Sequence, residues 1–136
     1  MVSDEKLAEL FEKALEASKA SYSPYSKFPV GAALLSSDGR IFTGTNVENR
    51  SFGLTNCAER TACFSAVAQG AKRFVAVAIA APKAEYPVGP CGACRQVLTE
   101  FADGKTPVIF GSKKENVKTA TLGELYPFDS LHELAD

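Results

Sequence analysis

The stretch RFVAVAIAAPKAEYPVGPCGACRQVLTEFADGKTPVIFG, residues 73–111, carries the pattern that sets the fold. It opens with RFVAVAIA at 73–80, a short apolar run between breakers, which is the mark of a buried strand. The loop PKAEYPVGP then leads to Pro90, a residue suited to opening a helix because the first helical N–H needs no partner. CGACRQVLTEFA predicts a helix that stops before Gly104. PVIFG at 107–111 reads as a second strand. A strand–helix–strand unit of this kind implies a crossover and parallel neighbouring strands.

Working outward, PVGAALLSSDGRIFTGTNV predicts a hairpin, with apolar strands on either side of the favoured turn pair Asp38-Gly39. At the N-terminus Ser3 is an N-cap candidate. Leu7, Leu10, Phe11, Ala14 and Leu15 follow at helical spacing, for a helix running to about Ala20. SYSPYSKF at 21–28 is a loop rich in Pro and Ser. Asn56 is placed to cap a helix that starts near Cys57 and ends at Gly70, a natural left-handed terminus. NVKTATL adds a last strand, and a short helical tail closes the chain. This order predicts an α/β fold. One domain over residues 1–136 should hold a mixed five-stranded β-sheet sandwiched between α-helices.

Composition narrows the function. The 136 residues suit one hydrophobic core, and 46% apolar with 23% charged residues is ordinary globular usage. Net charge is −1 and no Lys/Arg cluster exceeds two residues. A polynucleotide binder needs a basic face, so a small, weakly charged partner is expected and nucleic acid is not. MVSDEKLAELFEK is acidic and amphipathic, unlike a signal peptide. No segment has the roughly 20 apolar residues of a membrane span. A cytoplasmic protein keeps its thiols reduced, so its four cysteines are metal ligands, catalytic groups or core residues rather than staples.

Three readings compete for Cys57, Cys63, Cys91 and Cys94. Packing is the first, since free cysteine is often buried; it suits Cys63, six positions after Cys57 and therefore on another helix face. A redox pair is the second, because CGAC is a C-x-x-C at a helix start. The third is zinc. Cys91 and Cys94 make a chelating pair at one helix N-terminus, and Cys57 supplies a third thiolate from another. Three protein ligands would leave a fourth position for water, the arrangement of a catalytic site. Glu59, beside one ligand yet not itself one, would then be placed to move protons. A structural zinc module would instead recruit Cys63 as fourth ligand. The one histidine, His132, falls far along in the tail.

CAE at 57–59 with PCGAC at 90–94 resembles the signature of the zinc nucleobase deaminases, in which cysteine can replace histidine as first ligand. SYSPYSKFPVGAALL, GTNVENRSF, NCAERTA and GPCGACRQV extend the likeness. The chain is similar to the small homotetrameric cytidine deaminases that act on free nucleosides, over nearly its whole length except about the last fifteen residues. The resemblance implies one Zn²⁺ per chain held by Cys57, Cys91 and Cys94, with Glu59 as proton shuttle. It implies a cytosine-bearing nucleoside as substrate, with Phe28 against the ring and Asn46 and Glu48 on the ribose hydroxyls. Backbone groups around Ala58 would meet the amide edge of the base.

Two departures stand out. Arg50 and Phe52 replace the small residue and the tyrosine that family members often carry, and LYPF before Asp129 shortens the usual LLPxxF. They leave open whether Phe52 and Phe128 contact the substrate of a neighbouring subunit. Charge counting adds Arg60. Zn²⁺ with three thiolates is formally −1, and a metal so heavily donated to is a poor Lewis acid. Arg60 lies three positions past Cys57, within one helical turn, and is expected to return positive charge to the sulfurs. An aminonucleoside deaminase of the same fold is the nearest alternative, and NVEN with CAERTA favours cytidine over it.

Overall fold

The computed structural model describes residues 1–129 together with Leu131 and Leu134; His132 lies outside the described residues. Helix α1 spans Asp4–Ser18, and the Ser3 hydroxyl caps it by accepting from the Lys6 N–H at 3.1 Å. Leu7, Leu10, Phe11 and Ala14 form its buried stripe. It ends before Ala20, because the chain tightens into i→i−3 bonds from Lys19, Ala20 and Ser21.

Strands β1 (Gly31–Ser36) and β2 (Ile41–Thr45) form the expected hairpin, with Ala33 opposite Thr43. Gly39 takes φ +93° at the turn, where a side chain would be strained. After a 3-10 turn at Phe52–Leu54 come α2 (Ala58–Ala68), β3 (Phe74–Ala80), α3 (Gly92–Thr99), β4 (Pro107–Lys113), β5 (Asn116–Thr121) and α4 (Leu122–Leu125). Helix α3 stops at Thr99, three residues short of the apolar pattern; Glu100 and Phe101 bond back to Val97 and Leu98 in a tighter turn.

The five strands form one mixed sheet in the order β2-β1-β3-β4-β5. Only β3 and β4 pair in parallel, with Val77 opposite Val108. The crossover through α3 thus joins parallel neighbours as expected. The one through α2 does not, because β1 lies between β2 and β3. Since β1 is antiparallel to both, β2 and β3 still run the same way.

Strand alternation divides the core into two layers. Ala33, Ala76, Ala78 and Ala80 face α1, and their small side chains admit the helix close to the sheet. Leu34, Val77, Ile79, Val108 and Phe110 face α2 and α3, where Phe74 and Leu98 are fully buried. Each such large side chain contributes about 1.5–3 kcal/mol by leaving water. Gly44 brings α2 still closer: a Cβ there would stand 2.4 Å from the Ala62 N and 2.7 Å from the Ala58 carbonyl oxygen. Among the described residues no helix is long and apolar enough to cross a membrane.

Candidate active site

Because β2 and β3 run the same way, the chain segments leaving them start from one end of the sheet, and α2 and α3 begin side by side there. Their N-cap residues are Cys57 and Cys91, each in extended backbone (ψ 156° and 164°) with no side-chain capping bond. Asn56, expected as the cap of α2, is displaced from that role. Its backbone pairs with Val47 in an isolated bridge, and its side-chain amide donates to the Thr61 hydroxyl. That pairing fixes the entry to α2 one residue later and sets the Cys57 sulfur at the positive end of the helix dipole.

The Cys57 and Cys91 sulfurs are 3.6 Å apart and those of Cys91 and Cys94 3.5 Å. All three lie within 4.8 Å of one another, the one cluster of three or more potential metal ligands among the described residues. Thiolates about 2.3 Å from one tetrahedral zinc stand about 3.8 Å apart. The donor set therefore fits a single ion with little adjustment. Cys63 is elsewhere: it is fully buried in the core with Phe42 and Phe74, and burial pushes its thiol up to about 11. It packs, and it lies outside the sulfur cluster that a fourth ligand would have to join.

The electrostatics are arranged around Cys57. The Cys94 thiol, donating to it, and the Arg60 guanidinium hold Cys57 down to about 5, against the opposing effect of burial. Arg60 Nη2 donates to the Cys57 sulfur at 3.3 Å, and its Nε is buried with no hydrogen-bond partner. Glu59 sits in the first turn of α2, only 4% exposed. Burial above all pushes its carboxyl up to about 7, and the Cys57 charge adds to the effect. A buried carboxyl poised near neutrality can both take and give a proton.

Cys57, Cys91, Ala58, Glu59 and Asn46 line one cavity of about 180 Å³. Asn46 is largely committed: its Oδ1 accepts from the Val30 N–H at 3.0 Å and from the Ser21 hydroxyl, and its Nδ2 donates to the Phe28 carbonyl at 2.9 Å. One amide hydrogen remains. Glu48 lies in an adjoining cleft of about 360 Å³ with Tyr25, Ser26, Phe52 and Thr55. Its carboxylate accepts from the Ser26 hydroxyl and from the Tyr25 and Ser26 N–H groups, bonds that lower its pKa. Phe28 is half-buried and is not among the residues lining the cavity, touching the site through its carbonyl. Phe52 is 75% exposed, its ring 5.9 Å from that of Tyr25. Phe128, fully exposed at φ +56°, makes no contact with either cavity, and Arg50 is exposed.

The remaining walls, Val30, Thr55, Ile79, Ala81, Val88 and Gly89, were not singled out as site residues by the sequence. A usable signal existed for Ile79 and Ala81, since α/β sheets place ligands beyond the carboxyl ends of their strands, and these two flank Ala80, the last residue of β3. A larger hollow of about 700 Å³ lies at the other end of the sheet, by Arg73 and Pro107. It has no cysteine and no buried carboxylate, whereas the smaller one has Cys57, Cys91 and the buried Glu59.

A family model described as the "Cytidine and deoxycytidylate deaminase zinc-binding region" matches residues 4–111. The chain belongs to that family. This deaminase-family chain is 49% identical over 118 residues to a cytidine deaminase of Sporosarcina psychrophila, covering 87% of this chain and 86% of the relative. It is 48% identical over 118 residues to one from Halalkalibacterium halodurans, covering 87% and 89%. The crystal structure of cytidine deaminase from Burkholderia pseudomallei matches with a TM-score of 0.85 at 43% identity, over 93% of this chain and 98% of that one. Zinc is the metal of the deaminase family, and Cys57, Cys91 and Cys94 are the group positioned to hold it here.

Proposed function

We propose that this protein is a cytidine deaminase, converting free cytidine and 2′-deoxycytidine with water to uridine and 2′-deoxyuridine plus ammonia, in pyrimidine salvage. The observation that carries it is the meeting of a three-sulfur cluster with buried Glu59 at one cavity. The relatives named cytidine deaminase support the same activity.

Cys57, Cys91 and Cys94 hold the zinc. When bound, zinc supplies Lewis-acid activation of a water at near-neutral pH. Glu59 would take one proton from the water and deliver it to ring N3, opening C4 to attack by the hydroxide that remains. It would then carry the proton of the new C4 hydroxyl to the amine, so that the C4–N bond breaks and ammonia leaves. Ala58 stands at the first position of α2, where a helical N–H has no intrahelical partner and can donate to the base. The free Asn46 amide hydrogen donates to a ribose hydroxyl. Glu48 accepts from one, because a carboxylate offers about four lone-pair sites and three are used. Phe28, at the edge of the site, borders the ring, and Arg60 offsets the charge of the thiolates.

Residues 1–136 act as one catalytic domain in a cytoplasmic homotetramer. Exposed Tyr25, Phe52 and Leu54 around the Glu48 cleft, and exposed Phe128, support burial against neighbouring subunits. The net charge of −1 supports a free nucleoside over a polynucleotide. The test is loss of the cytosine ultraviolet band when purified protein meets cytidine, with a cytosine-containing single-stranded oligonucleotide in parallel. Conversion of the nucleoside alone is expected; efficient conversion of the oligonucleotide would reverse the assignment.

A further inference from the structure

The three sulfurs are not equally supported. Cys94 is buried within α3, and Cys57 receives the Arg60 guanidinium. Cys91 is exposed and stands at the junction of a loop and α3, and its own sulfur contacts are the other two cysteines. Its backbone is held on one side by the Arg95 N–H, which donates to its carbonyl at 3.0 Å, and on the other by the residue before it. Pro90 is fully buried, and its carbonyl accepts from Arg95 Nε at 2.6 Å. The same guanidinium donates through Nη1 to the Leu125 carbonyl, the last residue of α4, at 2.7 Å. Its Nη2 runs beside Gly89, whose Cβ would lie 3.5 Å away, and Gly89 lines the cavity. Among the described residues no carboxylate pairs with Arg95. A guanidinium fork held by two backbone carbonyls acts as a rigid, charge-assisted bracket between remote segments.

We propose that Arg95 is a positioning residue of the metal site: by holding the Pro90 and Leu125 carbonyls on one guanidinium, it fixes where Cys91 presents its sulfur. The inference rests on the reading of the three cysteines as zinc ligands. It also ties α4 mechanically to the metal site, although no residue of α4 lines the cavity.

The experiment uses the full-length protein, zinc-loaded for a chelator challenge and cobalt-substituted for the thiolate-to-cobalt absorption band. Arg95→Gln should lose zinc about 10-fold faster or more, the usual scale for an outer partner of a ligand, with an altered cobalt band. Arg95→Lys, whose ammonium can reach one carbonyl, should recover part of the difference. Tyr126→Phe is the control. It removes the neighbouring bond between the Tyr126 hydroxyl and Gln96 Oε1 without touching Pro90, and should release zinc like the parent. Parent-like release and spectrum in Arg95→Gln overturn the inference, as does equally fast release from Tyr126→Phe. Should Arg95→Gln not fold, parent-like release from Arg95→Lys overturns it. Absence of a cobalt–thiolate band in the parent would instead sink the metal reading itself.

Discussion

Arg60 donates to the Cys57 sulfur at 3.3 Å from one helical turn away, and it does so with its Nε buried and unpartnered. Leaving a buried guanidinium donor unpaired costs free energy, so the arrangement persists only if the bond to sulfur compensates. With three cysteine sulfurs and no histidine in the cluster, that cation adds its positive charge to that of the two helix N-termini.

Arg60→Gln should therefore weaken zinc binding by about 10–100-fold. Adding Cys57→His, which replaces a charged ligand by a neutral one, should recover part of the loss. Zinc affinity by competition with a chromophoric chelator measures both, and unchanged affinity in the single variant refutes the compensation.

Glu59→Gln is close to isosteric and leaves all three sulfurs in place. It should keep one zinc per chain and a parent-like melting temperature while losing turnover by ~10²–10⁴-fold or more, since one group serves two proton transfers. Steady-state rates on cytidine beside metal analysis test this; turnover near that of the parent removes Glu59 from the mechanism.

Cys63→Ser puts a hydroxyl into a fully apolar site. The expected cost is about 1–3 kcal/mol of stability, with zinc content unchanged because Cys63 lies outside the sulfur cluster. Denaturant melts and metal stoichiometry separate the two effects, and a variant that loses its metal would make Cys63 a ligand.

Gly44→Ala should harm the site from a distance. Its Cβ would stand 2.4 Å from the Ala62 N, so α2 must move off the sheet and carry Cys57 with it. Overpacking of this kind costs about 1–3 kcal/mol or more, and zinc retention should fall along with stability. Gly53→Ala, which meets nothing within 4 Å, is the matched control and should be near neutral. Equal behaviour of the two variants would show that α2 tolerates the shift.

Much of this was legible in the residues themselves. The Ser3 cap, the Asp38-Gly39 turn, the left-handed Gly70 and the apolar runs of β3 and β4 are local signals. They act within a few positions, and each produced the expected element. The sulfur cluster was also foreshadowed, because C-x-E and P-C-x-x-C place donors at two helix starts whatever the packing.

Other features came only from contacts across tens of residues. The Val47–Asn56 bridge moved the cap of α2 from Asn56 to Cys57. Insertion of β1 between β2 and β3 separated strands that the crossover pattern would have paired, yet kept them running the same way, and this brings both helix starts to one end of the sheet. Asn46 and Glu48 were found bound to the segment from Ser21 to Val30, an outcome no motif encodes because the partners lie 16 to 25 positions away. The sequence by itself determined which groups are available for the chemistry, since that depends on residue type and short spacing. The tertiary structure alone decided how far apart they stand, which are buried and which hydrogen bonds remain free, since strand order and desolvation are properties of the packed chain.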